Sequence, residues 1–275
     1  MSWTAKVDSV ARTALLGVSF WDSVTGRVAA EGLVVQETSS GTYARTTPSN
    51  VYVFNDLPGL RAGRDPTVWS SPPGRELTFA VTDRDRRFIP FRFTAGVPQP
   101  LLFAPPCLAG GSPPNAGPSI PLFSSPSRPV QPGFAAVRAE LWDVLADAPA
   151  AAAVLEVSGV NTSPWDGIAD WRGRVVVQCP YPEPRWQISS PPPGSAALSQ
   201  QGWTVDVSVR YSPGRASPPS SECQPPDLCE VLTQRSGTLL ASESPISTLA
   251  PQNLIFGREL VLRSAGRSEL LVLSV

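Results

Sequence analysis

Histidine does not occur among the 275 residues, and lysine occurs once, at Lys6. The first absence removes every Ser/His and Cys/His pairing, the commonest zinc ligand and the one side chain whose unperturbed charge changes near neutrality. Catalysis would have to rest on carboxylates, tyrosine or that single lysine. Charge is scarce as well: charged residues make up 16% of the chain, and 22 basic side chains nearly cancel 23 acidic ones. Such a balance gives no electrostatic handle for nucleic acid or for an anionic membrane surface. No segment approaches the ~20 apolar residues of a spanning helix, so no membrane span is expected. The opening MSWTAKVDSVARTALLGVSFWD lacks the uninterrupted apolar region and small-residue cleavage site of a signal peptide. The expected location is therefore cytoplasmic, free or within an assembled or released particle.

The four cysteines read as reduced thiols unless the mature protein ends up outside a cell. Cys107 and Cys179 are isolated in sequence. Cys223 and Cys229 enclose Gln-Pro-Pro-Asp-Leu and are close enough to bridge a small loop, the alternative being two loop thiols. No glycine-rich phosphate loop follows a strand, no Cys-x-x-Cys pair occurs, and no calcium-loop pattern of alternating Asp and Asn is present. Asp83-Arg84-Asp85 offers two carboxylates, but its position between two strand-like runs reads as a solvated turn. The expectation is a chain with no catalytic residue, no cofactor, no metal and no small-molecule substrate.

What the chain does have is 32 prolines, together with eight tryptophans and ten phenylalanines set in alternating apolar segments that a disordered chain has little reason to keep. It also repeats itself. Leu16 to Gly26, containing Trp21-Asp22, alternates and meets a turn; Val137 to Asp147, containing Trp142-Asp143, does the same 121 positions later. Strand-like runs 27–36 and 148–157 follow. Ser49 to Pro58 then matches Arg172 to Pro182, "WSSPPG" at Trp69 echoes "WQISSPPPG" at Trp186, and 76–88 matches 202–213. The equivalent tryptophans Trp21 and Trp142 are read as paired core residues.

Short strands and frequent turns, with almost no helix signal, predict an all-β fold of antiparallel β-sandwich units. The first unit spans 1–97 and the second 134–212. Between them, 98–133 is a proline-rich linker or docking arm. Its apolar clusters, Leu101-Leu102-Phe103 and Ile120-Pro121-Leu122-Phe123, either fold back to close a sheet or dock on a neighbouring subunit. The final part, 213–275, is a proline- and serine-rich loop followed by strands; "RELVLRS" and "SELLVLSV", split by Ala265-Gly266, predict a C-terminal β-hairpin. It completes its own sheet or a neighbour's. Trp69 and Trp186 lie in loops, where an exposed aromatic anchors a partner or caps the core.

Asp22-Ser23-Val24-Thr25-Gly26, followed by Tyr52-Val53-Phe54 leading into Leu57-Pro58, resembles the transthyretin-like module also called the carboxypeptidase regulatory-like domain. The match covers 15 to about 93, and the second copy keeps Trp142-Asp143 and the strand before Pro180. The resemblance implies two non-catalytic Ig-like or transthyretin-like β-sandwiches that support or present other parts. "PLFSSPSRPVQPG" at 121–133 and "PYPEP" at 180–184 are similar to segments of accessory structural proteins of contractile injection systems, which are phage-tail-like particles. The function expected is a structural subunit, such as a baseplate or other accessory component, whose partners are other protein subunits. The candidate contacts are Leu101, Leu102, Phe103, Leu122, Phe123, Trp69 and Trp186. The alternative is a carbohydrate- or surface-binding protein using Trp69, Trp165, Trp171 and Trp186.

Overall fold

The computed structural model describes residues 14–29, 31–61, 74–99, 101–108, 118–159, 164–182, 201–214 and 224–274. Trp69, Trp186 and Cys223 lie outside them. The chain is all-β. Strands β1 (Leu16–Val18) and β2 (Phe20–Asp22) come first, then β3 (Leu33–Glu37), β4 (Arg45–Thr46) and β5 (Tyr52–Phe54). A small ladder of β6 (Asp56–Leu57) and β7 (Leu60–Arg61) precedes the long antiparallel pair β8 (Arg75–Asp83) and β9 (Phe91–Val97). β10 (Leu102–Phe103) and β11 (Ile120–Leu122) close the N-terminal half. The C-terminal half starts with β12 (Phe134–Asp143) and continues through β13 (Ala148–Pro149), β14 (Val154–Gly159), β15 (Trp165–Ile168), β16 (Arg174–Pro180) and β17 (Gly202–Arg210). Helix α1 (Leu228–Leu232) leads to β18 (Ser236–Glu243), β19 (Ile246–Thr248), β20 (Gln252–Ile255), β21 (Leu260–Leu262) and β22 (Leu270–Leu273).

Alternation sets what each strand buries. β8 and β9 turn Leu77, Phe79, Val81, Phe91, Phe93 and Ala95 inward, as period-two side chains on a half-covered sheet must. The sheet ordered β3-β8-β9 meets the sheet ordered β10-β1-β5-β4 across one core. A run of rings crosses it, with Phe54 to Phe79 at 4.9 Å, Phe79 to Phe93 at 5.3 Å and Phe93 to Phe103 at 5.5 Å between centroids. In the C-terminal half a second core lies among β12, β14, β16, β17 and the last strands.

The repeat holds at the level of strand register. Leu16 pairs with Phe54 and Val137, 121 positions on, pairs with Val177. Gly17 pairs in parallel with Leu102, and Arg138 with Val261. Phe20 pairs in parallel with Ile120, and Leu141 with Leu270. The duplication therefore includes two strands that pair in parallel with the first strands of their half, β10 and β11 in one and β21 and β22 in the other, which the repeat in sequence does not reveal.

This placement corrects three expectations. The described parts of the 98–133 segment are not a free linker but fold back, the first of the two readings its apolar clusters allowed, with β10 pairing with β1 and β11 with β2. Phe103, Leu122 and Phe123 are consequently buried in the chain's own core and unavailable as docking anchors, whereas Leu101 is 74% exposed and Leu102 38%. The terminal segments form no hairpin with each other. β21 and β22 run in the same direction along successive stretches of β12, β22 also pairing with β18. The loop between them is latched by Ser264, whose hydroxyl donates to Leu240 O and accepts from Leu271 N at 2.9 Å. Alternation alone does not distinguish the two arrangements, since either buries the same faces. Trp21 and Trp142 are half-buried rather than core residues; the fully buried neighbours Phe20 and Leu141 hold the inward positions.

Turn chemistry repeats too. Asp22 Oδ1 accepts from Val24 N at 3.0 Å and its Oδ2 from Thr25 Oγ1 at 2.9 Å, while Asp143 Oδ1 accepts from Leu145 N at 2.8 Å. Before β5 and β16, Asn50 and Gly173 occupy equivalent positions with φ of 60° and 77°. A Cβ on Gly173 would stand 2.3 Å from Leu141 O, whereas one on Gly26, at φ 67°, would meet nothing within 4 Å. Gly173→Ala is therefore expected to cost about 2 kcal/mol, and Gly26→Ala about 1 kcal/mol, since only the backbone term applies there. Urea unfolding of the two variants measures the difference.

The halves are stapled together by the segment that follows β17. Pro226 O accepts from Arg92 N at 2.7 Å, which covers the edge of β9. Leu228 and Val231 of α1 then enter the N-terminal core. Asp227 caps that helix, accepting from Cys229 N at 2.9 Å and Glu230 N at 3.2 Å, the usual partner arrangement for an N-terminal turn. Cys229 is bonded to Cys107, at a sequence separation of 122 residues, so these two cysteines are not the reduced thiols expected, and the bridge to Cys223 that the spacing allowed is not the one Cys229 makes. A spacing of six favours a local bridge only when the chain is not carried away, and here α1 carries Cys229 onto the other half. Gln234 completes the joint, donating to Ala152 O at 2.8 Å and accepting from Ser212 N at 2.9 Å.

Candidate functional site

A cleft of about 600 Å³ lies between the halves, within the size range of ligand sites and in the place, between structural units, where such sites concentrate. One wall is the outer face of β12, β16 and β21. Alternation on these strands turns Val137, Ala139 and Leu262 toward the core and leaves Arg138, Glu140, Arg174, Val261 and Arg263 partly or fully exposed, all of them lining the cleft. The ladder places Glu140 opposite Arg174 and Arg138 opposite Val261. The other wall comes from the 82–90 turn of the N-terminal half, with Ser125 to Ser127 and Gln224 to Pro226 at the rim. Trp171 adds a ring, over which the Arg172 guanidinium lies at 4.4 Å.

Most charges on these walls are already engaged. Asp170 accepts from Arg172 N and Arg174 N, both at 2.9 Å, and from Arg174 Nη2 at 2.7 Å. Asp83 is held by the Arg87 backbone at 2.7 Å and by its guanidinium at 2.9 Å. Burial by itself would raise the Asp83 pKa, but the bonds and charge of Arg87 outweigh it and hold it below the usual carboxylate range. The 83–87 segment is thus a turn, with Arg86 at φ 54°. Arg138 bonds Glu259 at 3.2 Å and Pro126 O at 2.8 Å. Arg86 and Arg263 form no ion pair among the described residues.

Elsewhere the buried carboxylates hold turns together. Asp22 forms a two-pronged ion pair with Arg128, at 2.9 and 2.6 Å, and both side chains are buried. Arg128 also lies 4.9 Å over the Phe88 ring. In the other half Tyr211 stands near the equivalent Asp143, its pKa pushed up by burial and then by the Asp143 charge. Asp143 Oδ2 has no hydrogen bond of ordinary geometry. On the outer face of the β14-β15-β17 ladder, Arg210 bonds Asp166 at 2.9 Å and lies 3.8 Å from Glu156. Burial there pushes the Asp166 pKa up against the opposing effect of Arg210.

Glu37, almost wholly buried, accepts from the backbone and hydroxyl of both Ser39 and Ser40. Burial alone would raise its pKa, but these donors lower it to about 2. A depressed folded pKa stabilises the protein above the ordinary value of 4.5 and loses that contribution as pH falls toward 2. Glu37→Gln is expected to cost about 2 kcal/mol at neutral pH. The gap to the parent should close in acid, which urea midpoints recorded across pH would reveal.

Of the residues singled out in sequence, the cleft takes in Trp171 and Asp83. Trp165 packs at the border of the C-terminal core. Leu101 is exposed, on the N-terminal half. The cleft arginines give no signal along the chain, because they come from strands far apart in sequence and are brought together only by the ladder. Among the described residues no group of His, Cys, Asp or Glu could hold a metal ion, and no helix is long and apolar enough to cross a membrane. No protein-family model matches the chain, and no curated protein or solved structure matches it either.

Proposed function

We propose that the chain is a non-catalytic structural subunit of a large assembly, with each half a transthyretin-like β-sandwich and the whole acting as a two-unit spacer. The observation that carries this reading is the covalent and packed joint between the halves: Cys107 to Cys229, with Leu228 and Val231 buried in the opposite core. Two units that must transmit position between neighbours gain from a fixed mutual geometry, and a flexible tether would lose it. Large apolar side chains stand out at the surface, Leu101 at 74% and Leu145 at 68% in loops and Ile246 at 75% on β19, as contacts for neighbouring subunits require. The buried carboxylates Asp22 and Glu37 are engaged in holding turns and are shifted away from neutrality, unlike groups tuned for proton transfer. A disulfide fits a particle that works outside a reducing compartment. Its similarity in the 121–133 segment favours a contractile injection particle, with the chain as a baseplate or other accessory component.

Fractionation of native particles tests this. Recovery of the chain in fixed proportion to tube, sheath or baseplate proteins supports the assembly reading. Recovery only as a free monomer that binds an immobilised glycan overturns it in favour of the carbohydrate-binding reading, which the position of Trp171 in the cleft favours.

A further inference from the structure

We infer that the cleft between the halves receives an extended, acidic polypeptide segment of a partner subunit. The inference rests on the assembly reading and names the contact that would serve it. Three features of the cleft select this occupant.

The first is charge. The carboxylates of Asp83 and Asp170 are saturated by Arg87 and Arg174, and Arg138 is taken by Glu259. Among the described residues Arg86 and Arg263 lie on opposite walls with no ion pair, against Glu140 as the one uncommitted acid on the lining. Two guanidiniums facing one space favour a ligand that brings its own carboxylates, to which a guanidinium bonds in fixed two-pronged geometry. The second is β21, which among the described residues pairs with β12 alone and carries Val261, 49% exposed, on the cleft lining. A strand with one unpaired edge offers backbone donors and acceptors to an extended chain, and an apolar side chain beside it gives that chain a place to pack. A polyanionic sugar would use the arginines but not this edge. The third is rigidity. Arg138 bridges to Pro126 O across the rim, and the disulfide holds the halves at one spacing, so the walls need not be ordered when the ligand enters.

The probe is a dye-labelled peptide of alternating glutamate and valine, compared with its glutamine counterpart, in fluorescence anisotropy with the full-length oxidised protein. The expected result is saturable binding of the glutamate peptide, weakened at least tenfold in the Arg86→Gln/Arg263→Gln variant and by raising the salt from 0.05 to 0.5 M, roughly, as screening of exposed charges requires. Both arginines are exposed, so the variant is expected to keep the parent's melting temperature. A glutamine peptide binding equally well, or a variant binding undiminished, overturns the proposal; so does a sulfated glycan that displaces the peptide with higher affinity. If the double variant still assembles into native particles in normal proportion, the cleft contact fails while the structural-subunit reading stands.

Discussion

Arg128→Met is expected to lower the free energy of unfolding by about 3–5 kcal/mol at neutral pH, the cost of leaving a buried charge without its partner. Asp22 and Arg128 have side-chain exposures of 10% and 5% and meet at 2.6 Å. Burial alone would raise the Asp22 pKa, yet the Arg128 bonds, the Val24 amide and the Arg128 charge bring it below the ordinary value. The pair therefore stabilises the protein above the unfolded pKa of an aspartate, about 3.9, and its contribution is lost as pH falls below that. In the variant the sign reverses: without the guanidinium, burial disfavours the carboxylate, so protonation relieves the cost. The difference between parent and variant should shrink as the pH is lowered through 4, roughly. Asp22→Asn/Arg128→Met should recover much of the loss, because neither buried charge then remains. Urea unfolding at several pH values separates these outcomes. A loss for Arg128→Met that stays constant with pH would show that the guanidinium acts through its packing on Phe88 instead of through Asp22.

Cys229→Ser should cost about 4 kcal/mol, since the bond it removes closes a loop of more than a hundred residues between Cys107 and Cys229. Cys107→Ser should match it, and the double variant should be no worse than either single one, because each breaks the same bond. Treatment of the parent with a dithiol reductant should reproduce the loss in the melting temperature. Peptide mapping under non-reducing conditions provides the direct check: a linked pair of fragments holding Cys107 and Cys229 is expected, and a fragment linking Cys223 to Cys229 would refute the pairing. Cys179 serves as an internal control. It is buried, with its thiol pKa pushed up by burial to about 11, and should resist alkylation until the protein unfolds. Loss of the bond should also loosen α1, whose Leu228 and Val231 are held in the N-terminal core.

Strand content and repeat organisation were legible along the chain because both are local or nearly so. Period-two alternation in 76–88 and 202–213 marks β8 and β17, and the Trp-Asp pairs at 21–22 and 142–143 mark equivalent strand ends. The Asp22 to Gly26 motif was likewise readable, since its carboxylate bonds residues two and three positions ahead. The cleft was not readable. Arg138, Arg174 and Arg263 look like scattered surface charges until β12, β16 and β21 lie side by side.

By itself, then, the sequence determined an all-β chain built twice over, with alternating strands and their turns, because alternation and turn chemistry are properties of a few consecutive residues. Only the tertiary structure decided that the proline-rich connection supplies strands, that the last two strands run parallel along β12, and that Cys229 finds Cys107. Each of these joins residues tens to more than a hundred positions apart. A short apolar run pairs equally well with several edges as far as its own pattern goes, and the choice among them is made by the free edges and the burial that the rest of the fold leaves available.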